Sequence, residues 1–186
     1  SVTLKSIPTG NVEVALASKD TTEVKVSPAK LTFTPSNWNV GQTITMTGVD
    51  DHVIDGNVES VVALTASSSD AHYDKLASEI KVTTVDDDAA SIVVKSESAT
   101  ISEKGGSTTM SVSLAAQPES DVTITLKSSD ASELVPAVST ITFTSSNWNL
   151  AQTVILDAVD DSLADGTQTA YVTLTSSSAD GNFNGL

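Results

Sequence analysis

Apolar residues recur at every second position through most of this chain. Val12, Val14 and Leu16 alternate with smaller or polar residues, Ile44 and Met46 with Thr43, Thr45 and Thr47, and Ile80 and Val82 with Lys81 and Thr83. Further on, Met110, Val112 and Leu114 interleave with Ser111 and Ser113, and Val122, Ile124 and Leu126 follow the same rule, as do Val154 with Leu156 and Val172 with Leu174. Successive side chains of a strand point to opposite faces. A period of two therefore predicts strands with one apolar face and one Thr/Ser face, the pattern of antiparallel sheets packed on one side. No stretch carries the 3.6-residue spacing of a long amphipathic helix. Turn-forming residues break the pattern at Pro8–Asn11, Ser18–Thr21, Pro35–Asn39, Asp50–Asn57, Ser67–Asp74, Lys104–Ser107 and Pro118–Asp121. That spacing predicts an all-β chain of Ig-like antiparallel β-sandwiches.

The chain contains one long stretch twice. Leu31–Gly56, LTFTPSNWNVGQTITMTGVDDHVIDG, returns as Ile141–Gly166, ITFTSSNWNLAQTVILDAVDDSLADG, at a constant offset of 110 residues (148 − 38 for the two tryptophans). Extended to Leu76 and Leu186, 21 of 46 aligned positions are identical, which marks a tandem duplication. The period is that of a whole small domain and too long for a solenoid repeat. Two domains are expected, 1–88 and 89–186, meeting where the acidic run ends and a new strand begins at Ser91. Counterparts of Ser91–Lys95 and Thr108–Met110 are missing before Ser1, and a counterpart of Ala77–Asp88 is missing after Leu186. The first domain is thus expected to lack its opening strand and the second its closing strand. A junction this short, without Gly or Pro, restricts motion between domains.

Charge narrows the range of partners. Nine basic against 24 acidic residues leave a net charge of −15, which opposes nucleic acid and anionic membrane surfaces and favours cations. There is no cysteine, hence neither a disulfide framework nor a thiolate metal site. No apolar run approaches the roughly 18 residues of a membrane-spanning helix. Catalysis has little to stand on. His52 and His72, the only histidines, align with Ser162 and Asn182, so a His-based triad or general base is not kept with the repeat. Neighbouring carboxylates such as Asp50 and Asp51 share one turn and do not flank a substrate across a cleft. No P-loop, nucleophile elbow or HExxH pattern occurs. Trp38 and Trp148 sit in the same SNWN turn, where the reading is a core plug, with a sugar-stacking platform as the alternative.

The acids collect in turns and at strand ends: Asp20, Asp50, Asp51, Asp55 and Asp86–Asp88 in the first copy, and Glu103, Asp130, Asp160, Asp161 and Asp165 in the second. Alternate loops of a sandwich gather at one end, where these carboxylates would repel one another unless neutralised. Ca²⁺ is the fitting ion, since it takes six to eight oxygen ligands, whereas Zn²⁺ prefers His or Cys. A merely solvated acidic surface is the other reading. Neither DDHVIDG nor DDSLADG satisfies the EF-hand loop, so a calcium site would be built between loops.

The VDD-x-x-x-DG turn, the SEKGG turn at Ser102–Gly106 and the closing TTVDDD at Thr83–Asp88 together resemble the Calx-beta domain. That domain is a sandwich of about seven strands found in sodium–calcium exchangers, integrin subunits and long repetitive bacterial surface proteins. The TFTxSNWN variant looks most like the bacterial repeats of large secreted adhesins. The resemblance implies metal ligands at Glu103, Asp130, Asp160, Asp161 and Asp165 in the second copy, and at Asp20, Asp50, Asp51, Asp55, Asp86, Asp87 and Asp88 in the first. Asp55 and Asp165 stand where the family often has Glu, the first copy has no first-turn Glu, and the second has no closing Asp run. Partial calcium binding is therefore expected. The function so implied is not enzymatic: an extracellular or cell-surface spacer whose calcium stiffens the joint between neighbouring repeats of one parent chain. The alternatives are a module binding a glycan or a cell-surface protein, and a filament subunit that self-associates head to tail by strand complementation.

Overall fold

The computed structural model describes residues 1–96, 99–164 and 166–186. It is all-β, with thirteen strands among the described residues and every strand pairing antiparallel. Two compact units divide the chain. The first is Ser1–Asp51 with Asp55–Asp86, and the second is Asp87–Leu186 with His52–Ile54.

In the first unit, β1 (Val12–Ser18), β3 (Lys30–Phe33), β5 (Val58–Ser68) and β6 (Ala77–Thr84) form a sheet in the order β3-β1-β5-β6. The short pair β2 (Val24–Ser27) and β4 (Thr45–Gly48) forms a separate two-stranded sheet. The alternation in the sequence becomes alternation in burial: along β1, Val12, Val14 and Leu16 are buried while Glu13, Ala15 and Ala17 are exposed. Phe33, Leu31, Val24, Val62 and Leu64 complete that core, and Ile44 and Met46 pack on it from the β2–β4 side. Apolar burial from both sheets is what holds such a sandwich, at roughly 25 cal/mol per Å² removed from water.

In the second unit, β7 (Ile92–Ser96), β8 (Ser107–Leu114), β10 (Leu134–Pro136) and β12 (Gln152–Ala158) order as β10-β12-β8-β7. A three-stranded sheet, β11-β9-β13, comprises β9 (Val122–Ser128), β11 (Thr140–Phe143) and β13 (Val172–Ser178). Both sheets contribute to one core: Met110, Val112 and Leu114 from β8, Val154 and Leu156 from β12, and Val122, Ile124, Leu126 and Phe143 from β9 and β11.

The offset of 110 carries through the strands: β9, β10 and β11 start 110 residues after β1, β2 and β3. The repeated SNWN motif is explained by its hydrogen bonds. The Asn37 side-chain oxygen accepts the Thr34 N–H at 2.6 Å, and the Gln42 amide reaches back to the Thr32 carbonyl at 2.8 Å. Asn147 and Gln152 repeat both bonds on Thr144 and Thr142 at the same distances. The tryptophan carbonyls add to this, Trp38 accepting from Leu4 N–H and Trp148 from Leu114 N–H. Asn, Trp and Gln thus close the turn and lock it to the adjacent strands. Trp148 is half-buried and packs against the core of its unit; Trp38 is also half-buried.

Candidate functional site

The clearest site is a polar cleft of about 470 Å³ in the second unit. Its walls come from three places: Ala99–Lys104 leading into β8, Glu133 and Leu134 at the start of β10, and Ala158 and Asp160 after β12. The segment Gly166–Ala170 closes it. Three carboxylates, Glu103, Glu133 and Asp160, therefore line one cavity, with Lys104 as the basic residue beside them. Glu103 and Glu133 are half-buried and Asp160 is exposed.

The SEKGG turn presents Glu103. The Gly106 N–H donates to the Ser102 carbonyl at 2.7 Å, and the Ala158 N–H donates to the Gly106 carbonyl at 2.9 Å, so the turn is tied to the end of β12. A Cβ at Gly106 would sit 2.5 Å from the Ser102 carbonyl oxygen and 2.6 Å from its nitrogen. Both are backbone atoms and cannot rotate away. Gly106→Ala is expected to open the turn at a cost of about 1–3 kcal/mol. Urea unfolding of the variant checks this, and an unchanged midpoint would show that the turn has room to spare.

The other sequence-chosen acids are placed as follows. Asp20 and Asp130, equivalent in the repeat, each fold back on their own turn: one carboxylate oxygen accepts both the backbone N–H and the hydroxyl of Thr22 in the first case and of Ser132 in the second. Those bonds, the hydroxyl first, hold both carboxyls below the usual carboxylate value. Asp86 is half-buried and accepts the Gly56 N–H at 2.8 Å, while its own N–H donates to the Asn57 side chain at 3.1 Å. This pins the acidic DG turn to the end of β6, and Gly56 takes the left-handed φ of 76° that the turn requires. Asp88 is half-buried, with its carboxylate 3.6 Å from His52 Nδ1. Asp161 accepts the Leu163 N–H at 2.7 Å. Asp50, Asp51, Asp55 and Asp87 are exposed. Asp165 lies outside the described residues. Among the described residues no three His, Asp or Glu side chains gather closely enough to form a metal-holding group. Glu103, Glu133 and Asp160 ring a cleft and do not form a closed cage.

Among the acids not singled out in the sequence, three have a clear place in the structure. Glu133 belongs to the cleft, and only its adjacency to the strand start at Leu134 hinted at a loop position. Asp70 and Asp180 are a repeated pair and are buried. Asp70 accepts the Thr9 N–H at 2.8 Å and the His72 N–H at 3.0 Å, and Asp180 accepts those of Glu119 and Asn182, both at 2.9 Å. The repeated S-S-x-D was the available signal, since a duplicated Asp within a turn is a hydrogen-bond acceptor for backbone donors. His72 is exposed and sits 3.1 Å from the Asp70 carboxylate. Within the second unit, His52 meets the edge of Trp148 with ring centroids 5.4 Å apart, and its carbonyl accepts the Gln117 N–H at 2.7 Å.

Set against known protein families and curated proteins, the chain matches none.

Proposed function

We propose that this chain is a pair of structural β-sandwich repeats similar to Calx-beta domains, serving as a spacer in an extracellular surface protein, and that its acidic loops take calcium. The observation that carries the reading is the placing of Glu103, Glu133 and Asp160 around one polar cleft. These three come from separate connections of the chain and are drawn to one end of the unit by the fold. They are the residues that would hold the ion, which would supply positive charge among carboxylates that otherwise repel. Since the three line a cleft without closing on one point, binding requires the loops to draw in. A weak site of the extracellular type follows, with a dissociation constant of roughly 10⁻⁴–10⁻³ M. Two further features support a structural role: the residues shared by the two copies, Asn37, Gln42, Asp70 and their counterparts, hold turns and ladders, and the net charge of −15 favours cations. In a parent chain, neighbouring repeats are the natural partners, and an ion near the Asp86–Asp88 run would stiffen their joint.

The test is thermal unfolding with calcium, with magnesium, and with chelator. At 10 mM calcium, the affinity above corresponds to about 1.4–2.7 kcal/mol of stabilisation, or several degrees, with magnesium giving less. Glu103→Ala combined with Asp160→Ala is expected to remove that gain, whereas Asp50→Ala with Asp51→Ala tests the first copy separately. Equal melting in calcium and chelator would leave the acids as a solvated surface and sink the calcium part of the proposal.

A further inference from the structure

One turn is built alike in both units from residues of different chemistry. In the first unit, the Asp74 carboxylate accepts the Ser68 N–H at 3.2 Å, the Lys75 N–H donates to the Ala66 carbonyl at 2.9 Å, and the Ala66 N–H donates to the Leu76 carbonyl at 2.8 Å. In the second, the Asn184 side-chain oxygen accepts the Ser178 N–H at 3.3 Å, the Gly185 N–H donates to the Ser176 carbonyl at 3.1 Å, and the Ser176 N–H donates to the Leu186 carbonyl at 3.0 Å. Lys75 and Gly185 share the left-handed backbone, at φ of 61° and 81°. The turn therefore accepts a carboxylate or a carboxamide at one position, and Lys or Gly at the next. The first copy of the turn lies well inside the sequence, so this geometry belongs to the fold itself.

Asn184–Gly185 is the one Asn-Gly pair in the chain; every other asparagine is followed by Val, Leu, Trp or Phe. In an Asn-Gly pair the glycine nitrogen attacks the side-chain carbonyl carbon of the asparagine, and glycine, having no Cβ, leaves that approach open. The surroundings are open as well, since a Cβ added at Gly185 would meet nothing within 4 Å. Asn184 is exposed, so departing ammonia and incoming water both reach it. The bond from Ser178 that holds its carboxamide is long. What restrains the reaction is the Gly185 N–H, which must leave the Ser176 carbonyl before its nitrogen is free to attack.

We propose that Asn184 is a site of spontaneous deamidation, by which the second unit acquires the acidic turn that the first encodes at Asp74. The Gly185 nitrogen bonds to the Asn184 Cγ, its proton leaves with the side-chain nitrogen as ammonia, and a cyclic imide results. Water then opens the imide. Scission of the new Cγ–N bond gives aspartate with the backbone intact, whereas scission of the original backbone C–N bond gives isoaspartate, whose chain runs through Cγ and is longer by a methylene. In either case a water is consumed, an ammonia is released and nothing is oxidised or reduced. Aspartate fits the turn as Asp74 does, with its carboxylate on the Ser178 N–H. Isoaspartate shifts the Gly185 N–H away from Ser176 and loosens the turn. Each event adds a negative charge to a chain already at −15.

The experiment incubates the folded 186-residue chain in mildly alkaline buffer beside the free peptide GNFNGL, which copies Gly181–Leu186, and maps both by mass spectrometry. Acid is expected at Asn184 and not at the other asparagines, formed at roughly a tenth of the peptide's rate because one ordinary hydrogen bond must open first. Gly185→Lys copies Lys75, a residue the turn already holds, and is expected to slow the conversion by about tenfold or more because its side chain crowds the attacking nitrogen. Asn184→Asp, the backbone-intact product, is expected to melt within about 3 °C of the parent chain. No acid at Asn184 after about ten half-lives of the peptide overturns the proposal. Equal conversion at asparagines followed by Val or Leu overturns it too, as does Gly185→Lys converting as fast as the parent. A larger fall in melting temperature for Asn184→Asp would overturn the claim that the turn accepts the product.

Discussion

Replacing Phe143 by Ala lowers the stability of the second unit by about 3–5 kcal/mol, the cost of deleting a fully enclosed aromatic ring and leaving a cavity. Phe143 is 0% exposed. It ends β11 at the register position opposite Val122, another residue at 0%, and shares its core with Ile124, Val154 and Phe183. Small domains hold only about 5–15 kcal/mol in total, so the variant forfeits a large part of its margin. Phe33→Ala repeats the experiment in the first unit, where Phe33 is equally enclosed opposite Val12. Trp148 packs against the second core and reports on Phe143→Ala through its fluorescence during urea unfolding. Ile155→Thr is the control. Ile155 lies on the outer face of β12 at 46% exposure, and its replacement is expected to change stability by no more than about 0.5 kcal/mol. A loss below about 1 kcal/mol for Phe143→Ala would mean that the ring is not enclosed as described.

The second large effect concerns an acid buried for structure. Asp70→Asn leaves a single acceptor oxygen and turns an NH2 donor towards either the Thr9 or the His72 N–H, so one of the two bonds is lost. It is expected to lower the melting temperature of the first unit by about 4–8 °C or more, the effect of one buried hydrogen bond in a domain this small. The pH dependence has a definite sign. The backbone N–H of Thr9 first, and that of His72 second, hold the Asp70 carboxyl far below its ordinary value of 3.8. A depressed carboxyl makes the folded chain reluctant to take up a proton that the unfolded chain accepts. Its stabilisation is therefore complete above the unfolded value and drains away as pH falls below it towards the folded one. Melting curves of the parent chain and Asp70→Asn are expected to differ fully at about pH 6 and to converge between roughly pH 4 and pH 2. A gap that stays constant over that range would assign the loss to packing and not to the ionised carboxylate.

These predictions separate two kinds of acid that look alike in the sequence. Asp70 and Asp180 are turn holders, enclosed and bonded to backbone donors. Asp20 and Asp130 are turn holders too, closed on Thr22 and Ser132. Glu103, Glu133 and Asp160 instead line open space. Repetition alone does not distinguish them, because a duplicated unit keeps the carboxylates of its turns as faithfully as any that bind a ligand.

The all-β class was legible in the residues themselves. A period of two in Val12, Val14 and Leu16 requires a strand with one buried face, and β1 has that face, as β9 does in Val122, Ile124 and Leu126. The duplication was equally plain, because the TFTxSNWN and Q positions form short-range bonds within one turn and its neighbouring strands. Local chemistry of this kind is readable from a line of text, since its partners lie within ten residues of one another. What only the tertiary structure decided involves partners that the chain brings from far apart. Glu133 joins Glu103 and Asp160 because three connections meet at one end of the second unit, and no periodicity records which loops meet. Asp70 accepts the N–H of Thr9, 61 positions away. The length of β5 is likewise a tertiary fact: Val58–Val61 are strand where β6 lies beside them. Side-chain pattern tells a strand which face to bury. Only a neighbour supplies the hydrogen bonds that make it a strand.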